Sequence, residues 1–261
     1  MTEKPEDTSA LQPANKGSGA LVRAMDRRVS IASRLLSEIA VKKAAETGIR
    51  KTSRRITLEV AMRFLDDEDS VNLGEYTAID LEAADVLAQH SSDLILDGLT
   101  ALDVEAAEAL AKIEGLLSLN GLTELDSGVA AALAMHDDRM YLNGLTALDA
   151  EVAAALAMHG GWLYLNGLTA LDAKVADALA KHEGFELRLN GLTKLDAEVA
   201  EAFAKHENRL YLNGLTSLDA KAAEALAKHD NWLFLRGLTE LDAAASRFLQ
   251  ASFYLIIPGC P

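Results

Sequence analysis

A right-handed α/β solenoid, built from strand-turn-helix repeats with a concave parallel sheet and convex helices, is the fold class that the 261 residues predict. The first of three observations behind it is a recurring ten-residue phrase, Leu163-Tyr-Leu-Asn-Gly-Leu-Thr-Ala-Leu-Asp172. Its copies begin at Leu94, Leu117, Met140, Leu163, Leu187, Leu210 and Leu233, 23 residues apart except for one step of 24. Recurrence at such a period is the mark of stacked units that cannot bury their apolar face alone. The second is alternation: Leu163-Tyr-Leu165 reads in and out, as a short strand does. The third is a change of period after Asp172, where Val175, Ala176 and Leu179 fall on one helical face and Lys174, Asp177 and Lys181 fall away from it. Asp172 itself is a strong N-cap residue.

The elements follow in chain order. Residues 1–20 carry Pro5, Pro13, Gly17 and Gly19 among mixed charges and are expected to be a disordered tail. Residues 21–55 are expected to hold a basic amphipathic helix and a linker: Val22, Met25, Val29, Ala32, Leu36 and Ile39 make an apolar seam, and Arg23, Arg27, Arg28 and Arg34 lie off it. Such a helix suits an anionic membrane surface, a partner helix or the acidic remainder of the chain. Fewer than three full heptads is short for a coiled coil, so a solvated or docked helix is preferred and membrane contact is left open without being favoured. The solenoid should then run over 56–261. Ile56-Thr-Leu-Glu59 aligns with Ile79-Asp-Leu-Glu82, which makes 56–70 a half-repeat cap. Repeats should fill 71–251, the first of them degenerate from Val71, and a terminal strand should lie in 252–257, stopped by Pro258.

Within one repeat the prediction is a short strand, a tight turn and a helix of about three turns. Asn166-Gly167 between apolar residues is also a hairpin signal. Arms of about three residues are short for a stable ladder, and Arg236-Gly237 in the equivalent place fits a type I′ turn poorly. Glycine is instead read as the residue that lets the chain leave the strand sharply. Parallel strands stack about 4.8 Å apart and helices about 8–10 Å apart, so the stack should bend with its strands inward.

The phrase Leu-x-Leu-x-Gly-Leu-Thr-x-Leu-Asp, with its Ala-Leu-Ala-Lys-His helix, resembles leucine-rich repeats over about residues 56–257. It is most similar to the cysteine-containing subtype, with Leu168 where that subtype places its cysteine and Leu171, Ala176 and Leu179 at further core positions. It is also similar to 23-residue arrays in bacterial leucine-rich-repeat-like proteins. It departs from the family in having Leu168 where an asparagine usually follows the strand. The resemblance implies an arc, a role in protein recognition and no catalysis.

Charge narrows the partners. The formal net charge is −15, but residues 1–55 carry +6 and residues 56–261 carry −21. The repeat body should therefore repel nucleic-acid phosphates. A single cysteine, Cys260, excludes an intrachain disulfide and a cysteine metal cluster. No apolar run is long enough to span a membrane, and the first 20 residues lack the apolar core of a secretory signal, so a cytoplasmic location is expected. P-loop, His-Glu-x-x-His and Gly-x-Ser-x-Gly motifs are absent, and no cofactor is implied.

Two columns of identical residues should arise from the stacking. All six histidines (His90, His136, His159, His182, His206, His229) occupy one repeat position, with Ile113 in its place once. They are expected to serve the helix C-termini, by capping free carbonyls and complementing the dipole, rather than to bind metal. Asn120, Asn143, Asn166, Asn190 and Asn213 recur after the strand and should hydrogen-bond along their column. The outward strand positions point to function. They are Arg139 and Tyr141, Trp162 and Tyr164, Arg188, Arg209 and Tyr211, and Trp232, Phe234 and Arg236. Tyr, Trp and Arg dominate binding hot spots. Earlier strands carry Ile95 and Ser118 there, so the strand itself does not demand an aromatic. The expected activity is non-catalytic protein binding through this concave face. A structural scaffold or spacer and a carbohydrate-binding surface are the alternatives.

Overall fold

The computed structural model describes residues 54–241, 243–250 and 255–256, all within one unit, Thr52–Pro261. The expected tail at 1–20 and nearly all of the basic segment at 21–55 lie outside the described residues. The order is β1 (Arg55–Ile56), α1 (Leu58–Asp66), β2 (Ala78–Ile79), α2 (Leu81–Leu87), β3 (Leu94–Ile95), α3 (Val104–Leu110), β4 (Leu117–Ser118) and α4 (Ser127–Leu133). It continues with β5 (Arg139–Tyr141), α5 (Ala150–Leu156), β6 (Trp162–Tyr164), α6 (Ala173–Leu179), β7 (Glu186–Arg188), α7 (Ala197–Phe203), β8 (Arg209–Tyr211) and β9 (Ser217–Leu218). The last are α8 (Ala220–Leu226), β10 (Leu233–Phe234), β11 (Glu240–Leu241), α9 (Ala243–Gln250) and β12 (Leu255–Ile256).

The chain is an α/β repeat solenoid. Among the described residues its main sheet has eight strands, β3-β4-β5-β6-β7-β8-β10-β12, each parallel to its neighbours. Leu117, Met140, Leu163, Leu187, Leu210 and Leu233 are register partners along it, so each 23- or 24-residue step returns the chain to the same height. No described segment forms the Asn-Gly hairpin. Leu165 and Leu168 close a turn instead, Leu168 N–H donating to Leu165 O at 3.2 Å. At the N-terminal end of the described residues Ile56 pairs with Ile79, and Thr57 accepts the Val60 N–H at the start of α1. A strand expected from Val71 does not form. Asn72 Oδ1 accepts the Gly74 N–H at 3.1 Å and turns Leu73–Glu75 into a 3₁₀ segment, a side chain competing with the ladder. Val71 and Leu73 are buried nonetheless. A second short ladder, β9 with β11, lies just before the helix caps.

The α-helical part of the repeats α2 to α8 is seven residues, about two turns rather than three. Tighter bonds such as Lys181 N–H to Ala178 O and His182 N–H to Leu179 O carry the turn onward. Asp103, Asp126, Asp149, Asp172, Asp196 and Asp219 each accept an N–H of the first turn. Asp80 does not; its carboxylate takes Arg55 at 3.1 Å.

The core is one continuous column in which Leu163, Leu165, Leu168, Ala176 and Leu179 are fully buried. Leu171, expected among them, is only partly buried at the margin by the helix cap. Alanine on the helices lets successive coils approach closely. Gly167 has a related reason. Its φ is not left-handed, but a Cβ there would run into the carbonyl oxygen of Asn143 in the preceding coil. Close approach of backbones, rather than freedom of φ, demands the glycine.

Candidate binding face

Asparagine connects one coil to the next. Asn120 Oδ1 accepts the Asn143 N–H at 2.9 Å, Asn143 that of Asn166 at 2.9 Å, and Asn166 that of Asn190 at 3.0 Å. Asn190 then takes Asn213 at 2.9 Å, and Asn213 takes Arg236 at 3.0 Å. Asp97 begins the series on Asn120 at 3.0 Å. Side chain to backbone, this column satisfies N–H groups at the ends of the strands, where the regular ladder stops.

The histidines form the second column. All six are buried. The rings of His136, His159, His182, His206 and His229 stack with centroids 6.0, 6.2, 6.0 and 6.1 Å apart. His90 instead meets Phe64 edge-on at 5.4 Å. Burial holds all five stacked imidazoles below their ordinary range, His182 down to about 3 and His206 down to about 4; at His159, His182 and His206 a neighbouring imidazole pushes the same way. They are neutral at pH 7, so the expected favourable charge at the helix dipole is absent. His206 Nδ1 lies 3.2 Å from Ala180 O, the helix end of the preceding coil rather than of its own. Most other ring nitrogens in the column have no well-formed hydrogen bond. The histidines act as flat filler between coils, which is why Ile113 can stand in the series.

On the opposite side the outward strand residues form a continuous ladder. Tyr141 and Tyr164 have ring centroids 4.0 Å apart. The Arg188 guanidinium lies 4.7 Å from the Tyr164 ring and 4.3 Å from the Tyr211 ring, sandwiched between them. Tyr211 and Phe234 stack at 4.0 Å, and the Arg236 guanidinium lies 5.8 Å from the Phe234 ring. Beneath Arg188 is Glu186, only 4% exposed, whose Oε1 accepts from Arg188 at 2.7 and 2.9 Å and from the Tyr164 hydroxyl at 3.3 Å. Burial works against the Arg188 charge, but Glu186 outweighs it and holds the guanidinium firmly protonated. Burial, aided by Tyr141, pushes the Tyr164 phenol up; burial and Glu186 do the same to Tyr211.

Tyr164, at an outward strand position proposed for binding, is only 7% exposed, covered by Tyr141 and Arg188 and tied to Glu186. Tyr141, Trp162, Arg188, Tyr211 and Phe234 are half-buried, as is Arg139, which pairs with Asp93 and Asp138. Arg209, Trp232 and Arg236 are exposed. The structure brings Tyr141, Tyr164, Arg188, Tyr211, Phe234 and Arg236 into contact along one row, and Trp232 joins it beside Phe234 at 6.4 Å. Trp162 belongs to a second row at the strand entrance, stacked on Phe185 at 4.8 Å. Glu186 stands at an outward strand position in the sequence, but its burial under Arg188 does not follow from that; Phe185 is not singled out by the sequence pattern, and the single 24-residue step that contains it is the available signal.

No family model matches the chain, and no curated protein matches it. Among solved structures, a leucine-rich-repeat protein of Leptospira interrogans is similar at 15% identity and a TM-score of 0.30, over 70% of this chain and 64% of that protein's length. The assignment to an α/β repeat solenoid stands on the strand pairing itself.

Proposed function

We propose that the chain is a non-catalytic binding module that engages a partner protein through the outward side of its main sheet, chiefly β5 to β10. The stacked row Tyr141-Tyr164-Arg188-Tyr211-Phe234 carries this reading. Its residue types are those that dominate protein hot spots, and Glu186 below it pre-sets the arginine, which lowers the ordering cost of binding. Earlier coils hold Ile95 and a buried Ser118 in equivalent places and fold the same way. The row is therefore more than the fold requires. No helix among the described residues is long and apolar enough to cross a membrane.

A photo-crosslinking residue at Tyr211, compared with one at Lys174 on the helix face, tests the proposal in a lysate of the native host. Specific adducts at the Tyr211 position, lost on Arg188→Ala, are expected. Adducts confined to the Lys174 position would place the interaction on the helices and overturn the reading.

A further inference from the structure

The chain has two tryptophans, and both line one cleft. Trp162, Phe185, Asn208, Arg209, Asn231 and Trp232 enclose about 300 Å³ where the chain enters the strands of the main sheet. Phe185 reaches it through the one extra residue of the 24-residue step; it is 61% exposed and stacked on Trp162. Strand register sets Trp162 opposite Glu186 and Glu186 opposite Arg209, and Leu210 N–H donates to Trp232 O on the next strand. The two indoles therefore stand three strands apart, about 14 Å at the usual strand spacing. Arg209 lies between them.

The polar groups of this cleft differ in what they have left to offer. The Asn208 amide donates to Glu183 O at 3.2 Å, and the Asn231 amide donates to Glu207 O at 2.8 Å. Asn231 Oδ1 accepts the Trp232 N–H at 2.7 Å. Both amide NH2 groups, and the Asn231 oxygen, are thus engaged within the chain. Arg209 is exposed and makes no ion pair among the described residues, because its register neighbour Glu186 is turned to Arg188 and Tyr164.

We propose that this cleft takes a carboxylate-bearing apolar segment of a partner protein. A leucine or aromatic side chain enters between Phe185 and Trp232, and a neighbouring Asp or Glu carboxylate lies on the Arg209 guanidinium. The inference rests on the reading of the sheet face as protein-binding and names the chemistry of its partner. An arginine fork matches a carboxylate in charge and geometry. A neutral sugar would stack on the indoles equally well, but it would leave the arginine charge unanswered.

Because both tryptophans border the cleft, intrinsic fluorescence of the full chain reads its occupancy directly. Three probes are titrated: a peptide alternating leucine and glutamate, the same peptide with glutamine for glutamate, and a neutral β-linked glucose hexamer. The glutamate peptide is expected to shift the emission and to bind at least about tenfold tighter than the glutamine peptide. Arg209→Gln should remove that preference and Trp232→Ala should weaken both peptides, with far-ultraviolet circular dichroism unchanged in each variant. Equal binding of the two peptides, a preference that survives Arg209→Gln, a response to the glucose hexamer alone, or no response to any probe would overturn the assignment. If crosslinking at Tyr211 succeeds while this preference is missing, the face still binds protein and only the cleft assignment is lost.

Discussion

Acidification should weaken this fold through its histidine column, and the size of the effect can be worked from the structure. His182 and His206 titrate from an ordinary 6.5 in the unfolded chain, but at about 3 and about 4 when folded. A folded value below the unfolded one means that the unfolded chain binds more protons between these limits. Stability is therefore full above about pH 7 and falls as the pH drops through 6.5. At pH 5 the unfolded chain gains about 2 kcal/mol for each of the two residues, since one pH unit is worth about 1.4 kcal/mol. About 4 kcal/mol is comparable with the whole stability of many domains, roughly 5–15 kcal/mol. His136, His159 and His229 are shifted in the same direction and add to it. Urea unfolding followed by circular dichroism at pH 7.5 and pH 5 measures the loss. The many carboxylates also begin to titrate at low pH, so the decisive quantity is the difference between wild type and a His182→Leu, His206→Leu double variant. Ile113 shows that the column accepts an aliphatic side chain, so this variant should fold and should lose much less stability between the two pH values. Equal pH dependence in both proteins would refute the reasoning and mean that the imidazoles protonate in place.

Leu168→Ala empties a fully buried site and should cost about 2–5 kcal/mol in urea unfolding, whereas Leu171→Ala, at a half-buried site, should cost clearly less. Gly167→Ala should be strongly destabilising because its Cβ meets the Asn143 carbonyl; Gly160→Ala, with nothing within 4 Å of the added carbon, should change the melting temperature little. Asn166→Ala leaves the Asn190 N–H without its acceptor and should cost about 1–3 kcal/mol. Asn166→Asp should cost less, since Asp97 fills the same role at the start of the column, and hydrogen exchange at Asn190 would report the difference.

Much of this molecule could be read along the chain, because its signals are local. Alternation at Leu163-Tyr-Leu165, the Asp172 cap and the 3-4 spacing of Val175, Ala176 and Leu179 act within one coil, and repetition multiplied them. The asparagine column was legible for the same reason: equal spacing puts equal residues in register. What failed at Val71 was also local, a side-chain turn at Asn72 outweighing a degenerate strand pattern.

The candidate face was legible only in outline. Period-2 alternation says that Tyr164 points out of the core, but not that Tyr141 and Arg188, 23 and 24 residues away, cover it. Nor does it say that Arg188 takes Glu186 and leaves Arg209 without a carboxylate among the described residues. These outcomes depend on rotamers chosen between neighbouring coils, where several partners of similar energy compete within one sheet spacing. The histidines make the same point. Their position at the helix ends was plain in the sequence, but their neutrality follows from how tightly successive coils close over each ring, which is a property of packing.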